Sequence, residues 1–99
     1  MKPKNVFMKD PRETKFDRFF DWTQELEEGE TIESYTLAIP AGLTKVSEAR
    51  QDAIIYFRLS GGVIPDIYYI ACQVTIAPSG RDPIGNMIIK MVDKAEAIG

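Results

Sequence analysis

The amino-acid sequence predicts an all-β fold, an antiparallel sandwich of six to seven short strands carrying an extended N-terminal arm. Apolar and polar residues alternate with period two in several stretches, the pattern of half-buried strands. Turns containing Gly and Pro punctuate the chain at short spacing. No stretch carries the 3.6-residue apolar period of an amphipathic helix of useful length.

Residues 1–14 (MKPKNVFMKDPRET) hold two prolines and no sustained period, and read as an extended arm in which Val6 and Phe7 are candidate docking residues. Lys15 to Trp22 reads as a strand, with Phe16, Phe20 and Trp22 on one parity and Asp17 and Asp21 on the other; Arg18 and Phe19 break the alternation. Thr23 to Glu28 fits a single helical turn capped by Thr23, closed by the Glu28-Gly29 turn. Thr31 to Ile39 is a strand with Tyr35, Leu37 and Ile39 on one face, ended by Pro40-Ala41-Gly42. Leu43 to Val46 is a short strand, and Ser47 to Asp52 a polar loop or turn, with a short helix as the alternative.

Ala53 to Leu59 is a strong strand, alternating Ile55, Phe57 and Leu59 with Ile54, Tyr56 and Arg58. Ser60-Gly61-Gly62 then reads as a hairpin turn. Asp66 to Ala77 is the longest strand, with Tyr68, Ile70, Cys72, Val74 and Ile76 on one face. Pro78-Ser79-Gly80 turns the chain, and Met87 to Val92 is the last strand. The expected organisation is therefore an arm over 1–14, a sandwich over 15–92 and a frayed tail over 93–99. At about a hundred residues, the two-sheet immunoglobulin-like arrangement is the commonest solution for such a series of strands. The Cys–Trp–Cys signature of antibody domains is absent, and Trp22 is expected to anchor the first strand in the core.

Composition supports one folded domain: 44% of the 99 residues are hydrophobic and 27% charged, ordinary globular usage that argues against wholesale disorder. The net charge of −3 is unevenly placed. Residues 1–18 carry six bases and three acids, whereas residues 19–99 carry six bases and twelve acids. An acidic body repels phosphates, so nucleic acid is not an expected partner. No apolar run is long enough for a membrane span, and Met1 to Asp10 lacks the apolar region of a secretory signal, so synthesis in the cytoplasm is expected. The single cysteine, Cys72, sits in an apolar run and reads as a small buried hydrophobe.

The sequence contains no histidine. Its absence removes the usual general base near neutral pH, the Ser-His-Asp and Cys-His arrangements and the common zinc frameworks. Glu25, Glu27, Glu28 and Glu30 offer hard oxygen ligands, but their spacing fits no calcium-loop pattern, and a solvated acidic loop is the better reading. Gly61-Gly62 lacks the spacing of a phosphate loop. Lys90 and Lys94 need no reading beyond an alternate strand position and a tail. No cofactor, metal or catalytic residue is therefore expected. Tyr56, Tyr68 and Tyr69 fit cross-strand packing, but strand alternation forces one of the adjacent pair outward, which makes Tyr69 a candidate contact residue.

The motifs run in order: Lys9-Asp10-Pro11, Phe20-Asp21-Trp22, Gly29-Glu30-Thr31-Ile32, Ile39-Pro40-Ala41-Gly42-Leu43, Leu59-Ser60-Gly61-Gly62, the Tyr68 strand, Gly80-Arg81 and the alternating Met87–Met91. This series resembles a family of small phage and prophage proteins described as fibre–tail adaptor or tail-associated proteins. The resemblance spans about residues 9–92. It departs at Thr44 to Asp52, which is polar where the family has a continuous strand, and at Pro83 and Gly85 before the last strand. It implies an immunoglobulin-like sandwich and a structural role in a virion tail, and it carries no catalytic residue. The matching positions Trp22, Pro40, Gly42, Gly61, Gly62 and Gly80 are scaffold positions, a core anchor and turns.

The expected function is thus structural: a virion module, tail-associated or a fibre–tail adaptor, that works by protein–protein assembly with other tail or fibre proteins and with its own copies. Its expected place is the host cytoplasm at synthesis and then the tail. The outward apolar residues Phe19, Ile54, Ile67 and Ile88 favour assembly. The alternative is a host-surface or carbohydrate-binding sandwich that uses Tyr68 or Tyr69.

Overall fold

The structure, a computed structural model, describes residues 6–94. Seven strands follow in order: β1 (Val6–Lys9), β2 (Phe16–Asp21), β3 (Thr31–Ala38), β4 (Leu43–Gln51), β5 (Ile54–Gly61), β6 (Ile67–Ala77) and β7 (Ile84–Met91), with one 3-10 turn at Thr23–Glu25. They form a four-stranded sheet, β1-β7-β6-β3, over a three-stranded sheet, β2-β5-β4. Placing strands two, five and four in one layer and three, six and seven in the other is the immunoglobulin-like order. All pairings are antiparallel except that of β1, which runs parallel to β7.

Alternate residues from both sheets close over one apolar core. Phe16, Phe20 and Trp22 and then Ile55, Phe57 and Leu59 come from one layer, and they face Tyr68 to Ile76 and Met87 to Met91 at every second residue of the other. Burying each large aliphatic chain among them contributes about 1.5–3 kcal/mol. Trp22 is buried as expected. Its ring lies against Gly85, where a Cβ would stand 3.1 Å from the indole. Gly85 is therefore a point of close approach inside β7, and the strand begins at Ile84 rather than at Met87.

The part of the N-terminal segment that the structure describes is not a free arm. Val6–Lys9 adds to the edge of β7 with Val6 opposite Ile88, and the Val92 amide donates to the Lys9 carbonyl. Lys9, one of the six bases of residues 1–18, is completely buried. Its ammonium donates to the carbonyls of Asp10 (3.1 Å), Glu13 (2.8 Å) and Gly61 (2.7 Å). Burial pushes its pKa down, against the opposing pull of the Glu13 and Asp10 carboxylates. Asp10 accepts from the Arg12 amide and guanidinium and from the Lys94 amide. These bonds, the Arg12 side chain foremost, hold its carboxyl well below the usual carboxylate range. Residues 9–13 thus lock β1 to the end of β7, and Asp93 and Lys94, expected in the frayed tail, belong to this lock. Residues 95–99 of that tail and 1–5 of the arm lie outside the described residues.

Three further differences have local causes. β4 runs to Gln51, through the Ser47 to Asp52 stretch that reads as a polar loop. Beyond Leu43 it buries nothing, so no apolar period marks it, and pairing with β5 holds it in place. Gly61-Gly62 is not a hairpin turn, because β5 and β6 belong to different sheets; the pair ends β5 and carries the chain between layers. Thr23 does not cap the 3-10 turn; the Asp21 carboxylate accepts from the Thr23 amide instead.

Candidate docking faces

Register and alternation decide which side chains the two sheets turn outward. On the four-stranded sheet, Val6 pairs with Ile88 and Ile88 with Tyr69, making one cross-strand row. The next row is Met8, Lys90 and Ile67. Tyr69 is 66% exposed, and Val6, Met8 and Ile67 are exposed as well. Toward β3 the outward positions are Ala71 beside Ala38 and Gln73 beside Thr36. Along β1, β7, β6 and the Ser34–Ala38 part of β3, Lys90 is the single charged outward side chain. A solvated face normally mixes charges of both signs, so this apolar stretch is the candidate contact surface.

The three-stranded sheet turns outward a smaller row, Phe19, Tyr56 and Ala49. The Phe19 and Tyr56 rings meet with centroids 6.0 Å apart, and Phe19 is 53% exposed. Beside the row Arg58 forks onto the Asp17 carboxylate (2.6 and 2.9 Å), which lowers the Asp17 pKa. A shallow recess of about 520 Å³ runs along this row.

Charged side chains close the open sides between the layers. On one side the Arg18 guanidinium lies between the rings of Phe7 (4.4 Å) and Phe16 (4.1 Å), a cation–π sandwich that accounts for a base on the apolar parity of β2. On the other, Glu48 of β4 pairs with Lys45 and accepts from the Tyr35 hydroxyl of β3 (2.5 Å), while Arg50 donates to the Ile32 carbonyl (2.7 Å). The two bonds to Glu48 hold its carboxyl below, and the Tyr35 phenol above, their ordinary values.

Of the candidate contact residues, Val6 and Tyr69 fall in one row of the four-stranded face. Phe7 does not join them; it turns inward, half-buried against the core and under Arg18. Tyr68 is core, packed over Gly42 and accepting from the Val63 amide. The tyrosines therefore do not form a shared platform. Of the scaffold positions, Gly42, Gly61, Gly62 and Gly80 all have positive φ, and Pro40 sits half-buried after β3. At Gly62 a Cβ would also stand 2.5 Å from the end of the Met91 side chain, which must shift to admit it. Sequence reasoning missed Met8, the Lys9 lock and the inward charges of β4; the uncharged surroundings of Lys90 were the readable signal for the face.

Among the described residues no group of three or more acidic or cysteine side chains is placed to hold a metal ion. Glu30 of the acidic loop is taken up by Arg81 and the Glu27 amide, and these bonds lower its pKa. Cys72 is buried, and burial pushes its thiol pKa up. No described helix is long and apolar enough to cross a membrane.

The structure is a two-layer β-sandwich with an apolar row on each outer face and several of its charged side chains engaged in holding strands together, an architecture suited to a structural assembly protein. A family model described as podophage GP4 fiber-tail adaptor protein gp77 matches residues 9–82, from the buried lysine of the lock to the turn before β7. The chain belongs to this family of phage fibre–tail adaptors, structural tail-associated proteins. No curated protein matches it significantly.

Proposed function

We propose that the chain joins virion proteins through its outer faces, with the four-stranded face as the principal dock for a tail or fibre protein. The observation that carries this reading is the Val6–Ile88–Tyr69 row, which lies where Lys90 is the single charged outward side chain along β1, β7, β6 and the Ser34–Ala38 part of β3. The two layers turn their faces in opposite directions, so partners on the two faces are held on opposite sides of the sandwich, as a bridge requires. Several copies act together in the tail, after synthesis in the host cytoplasm. The acidic body favours protein partners over nucleic acid or a membrane surface, and the absence of histidine favours a role without catalysis or cofactor.

A photo-crosslinking amino acid at Tyr69, incorporated into assembling virions, tests this. The expected result is a defined crosslink to a tail or fibre protein. Intact virions that contain the protein and give no crosslink from Tyr69 would contradict the reading.

A further inference from the structure

Each sheet ends in two edge strands, and among the four described edges two carry charged devices that block pairing with another chain. The described part of β1 is Val6–Lys9 and ends in the buried Lys9. β2 carries Asp17, Arg18 and Asp21, with Arg18 turned inward. β4 turns Lys45, Glu48 and Arg50 inward and bulges at Val46. β3 differs. Its one charge, Glu33, lies at a bulge, and from Ser34 to Ala38 it is regular, uncharged and rich in residues that favour strands. Tyr35 and Leu37, its inward side chains, are only half-buried, and no strand among the described residues pairs with its outer edge.

We infer that this edge pairs with β3 of a second copy, antiparallel and centred on Thr36, joining two four-stranded sheets into one of eight strands. The segment is self-complementary in that register. Thr36 stands opposite its own counterpart, a favourable cross-strand pair. Tyr35 faces Leu37 on the inner side, so each covers the other's exposed half. Ser34 faces Ala38 on the outer side, and Glu33 faces Ile39, so no like charges meet. A two-fold axis through Thr36 requires the same patch on both subunits, the condition for a closed dimer rather than a filament. The pairing specifies the self-association within the reading above and extends the outer face of the four-stranded sheet across both subunits.

Sedimentation of the full chain over a micromolar concentration series, with Thr36→Lys, Thr36→Glu and Ser47→Lys variants, tests it. Thr36 and Ser47 are exposed, so all three variants are expected to keep the wild-type strand content by circular dichroism. The wild type and Ser47→Lys on the blocked β4 edge are expected to dimerise. Each Thr36 variant alone should weaken the dimer at least about tenfold, because like charges then meet on the axis, and an equal mixture of the two should restore it. A wild type that stays monomeric, or a dimer indifferent to charge at Thr36, would overturn the inference. Either outcome leaves the crosslink from Tyr69 unaffected, so failure here is distinct from failure of the docking role.

Discussion

The Lys9 ammonium reaches across 52 positions of sequence to donate a 2.7 Å hydrogen bond to the Gly61 carbonyl. This bond ties the first strand to the end of β5, at the point where the chain leaves one layer for the other. A completely buried ammonium costs stability unless it is bonded, and here three carbonyls take its three protons. Lys9→Ala would leave those acceptors buried without a donor, and a loss of about 2–4 kcal/mol is expected from urea unfolding.

Gly62 and Gly80 share a positive φ but not the same surroundings. At Gly80 a Cβ would meet nothing within 4 Å, so Gly80→Ala should cost only the left-handed strain of about 1–2 kcal/mol. At Gly62 the end of the buried Met91 side chain must also move to admit a Cβ, so Gly62→Ala should cost more than Gly80→Ala, by about 1 kcal/mol for the repacking. Thermal melts of the two variants side by side check the difference.

Acid should loosen the β1 lock. The folded-state pKa of Asp10 is depressed, so its carboxylate contributes stability above the ordinary aspartate value of about 3.9. That contribution is lost progressively as pH falls from there through the folded-state value. Asp10→Asn should lower the melting temperature at neutral pH and show a smaller further drop between neutral and strongly acidic pH than the wild type. Melting curves across that range test the sign.

The Cys72 thiol is buried and its pKa is raised, so little thiolate forms and none is accessible. A thiol reagent at neutral pH should leave the native protein unlabelled and label it fully once denatured.

The layers are legible where burial imposes a period. Ile55, Phe57 and Leu59 in β5 and Tyr68 to Ile76 in β6 alternate without interruption, and the structure buries each of those inward residues. β4 is illegible past Val46 because an edge strand with charged inward residues has no apolar alternation to read. Gly85 looks like a weak point in β7 because the indole that fills its missing side-chain space is 63 residues earlier in the chain. The docking row is half legible. Alternation shows that Tyr69 faces out, but only the pairing of β1 with β7 brings Val6 beside it and turns Phe7 in.

Docking of a tail or fibre protein on the Val6–Ile88–Tyr69 row is tested most directly by attachment of purified Tyr69→Glu protein to tails assembled without the native protein. Tyr69 is a surface residue outside the core, so the variant should melt within about 0.5 kcal/mol of wild-type stability and fail to attach. A folded Tyr69→Glu protein that attaches as the wild type does would contradict this role for the four-stranded face.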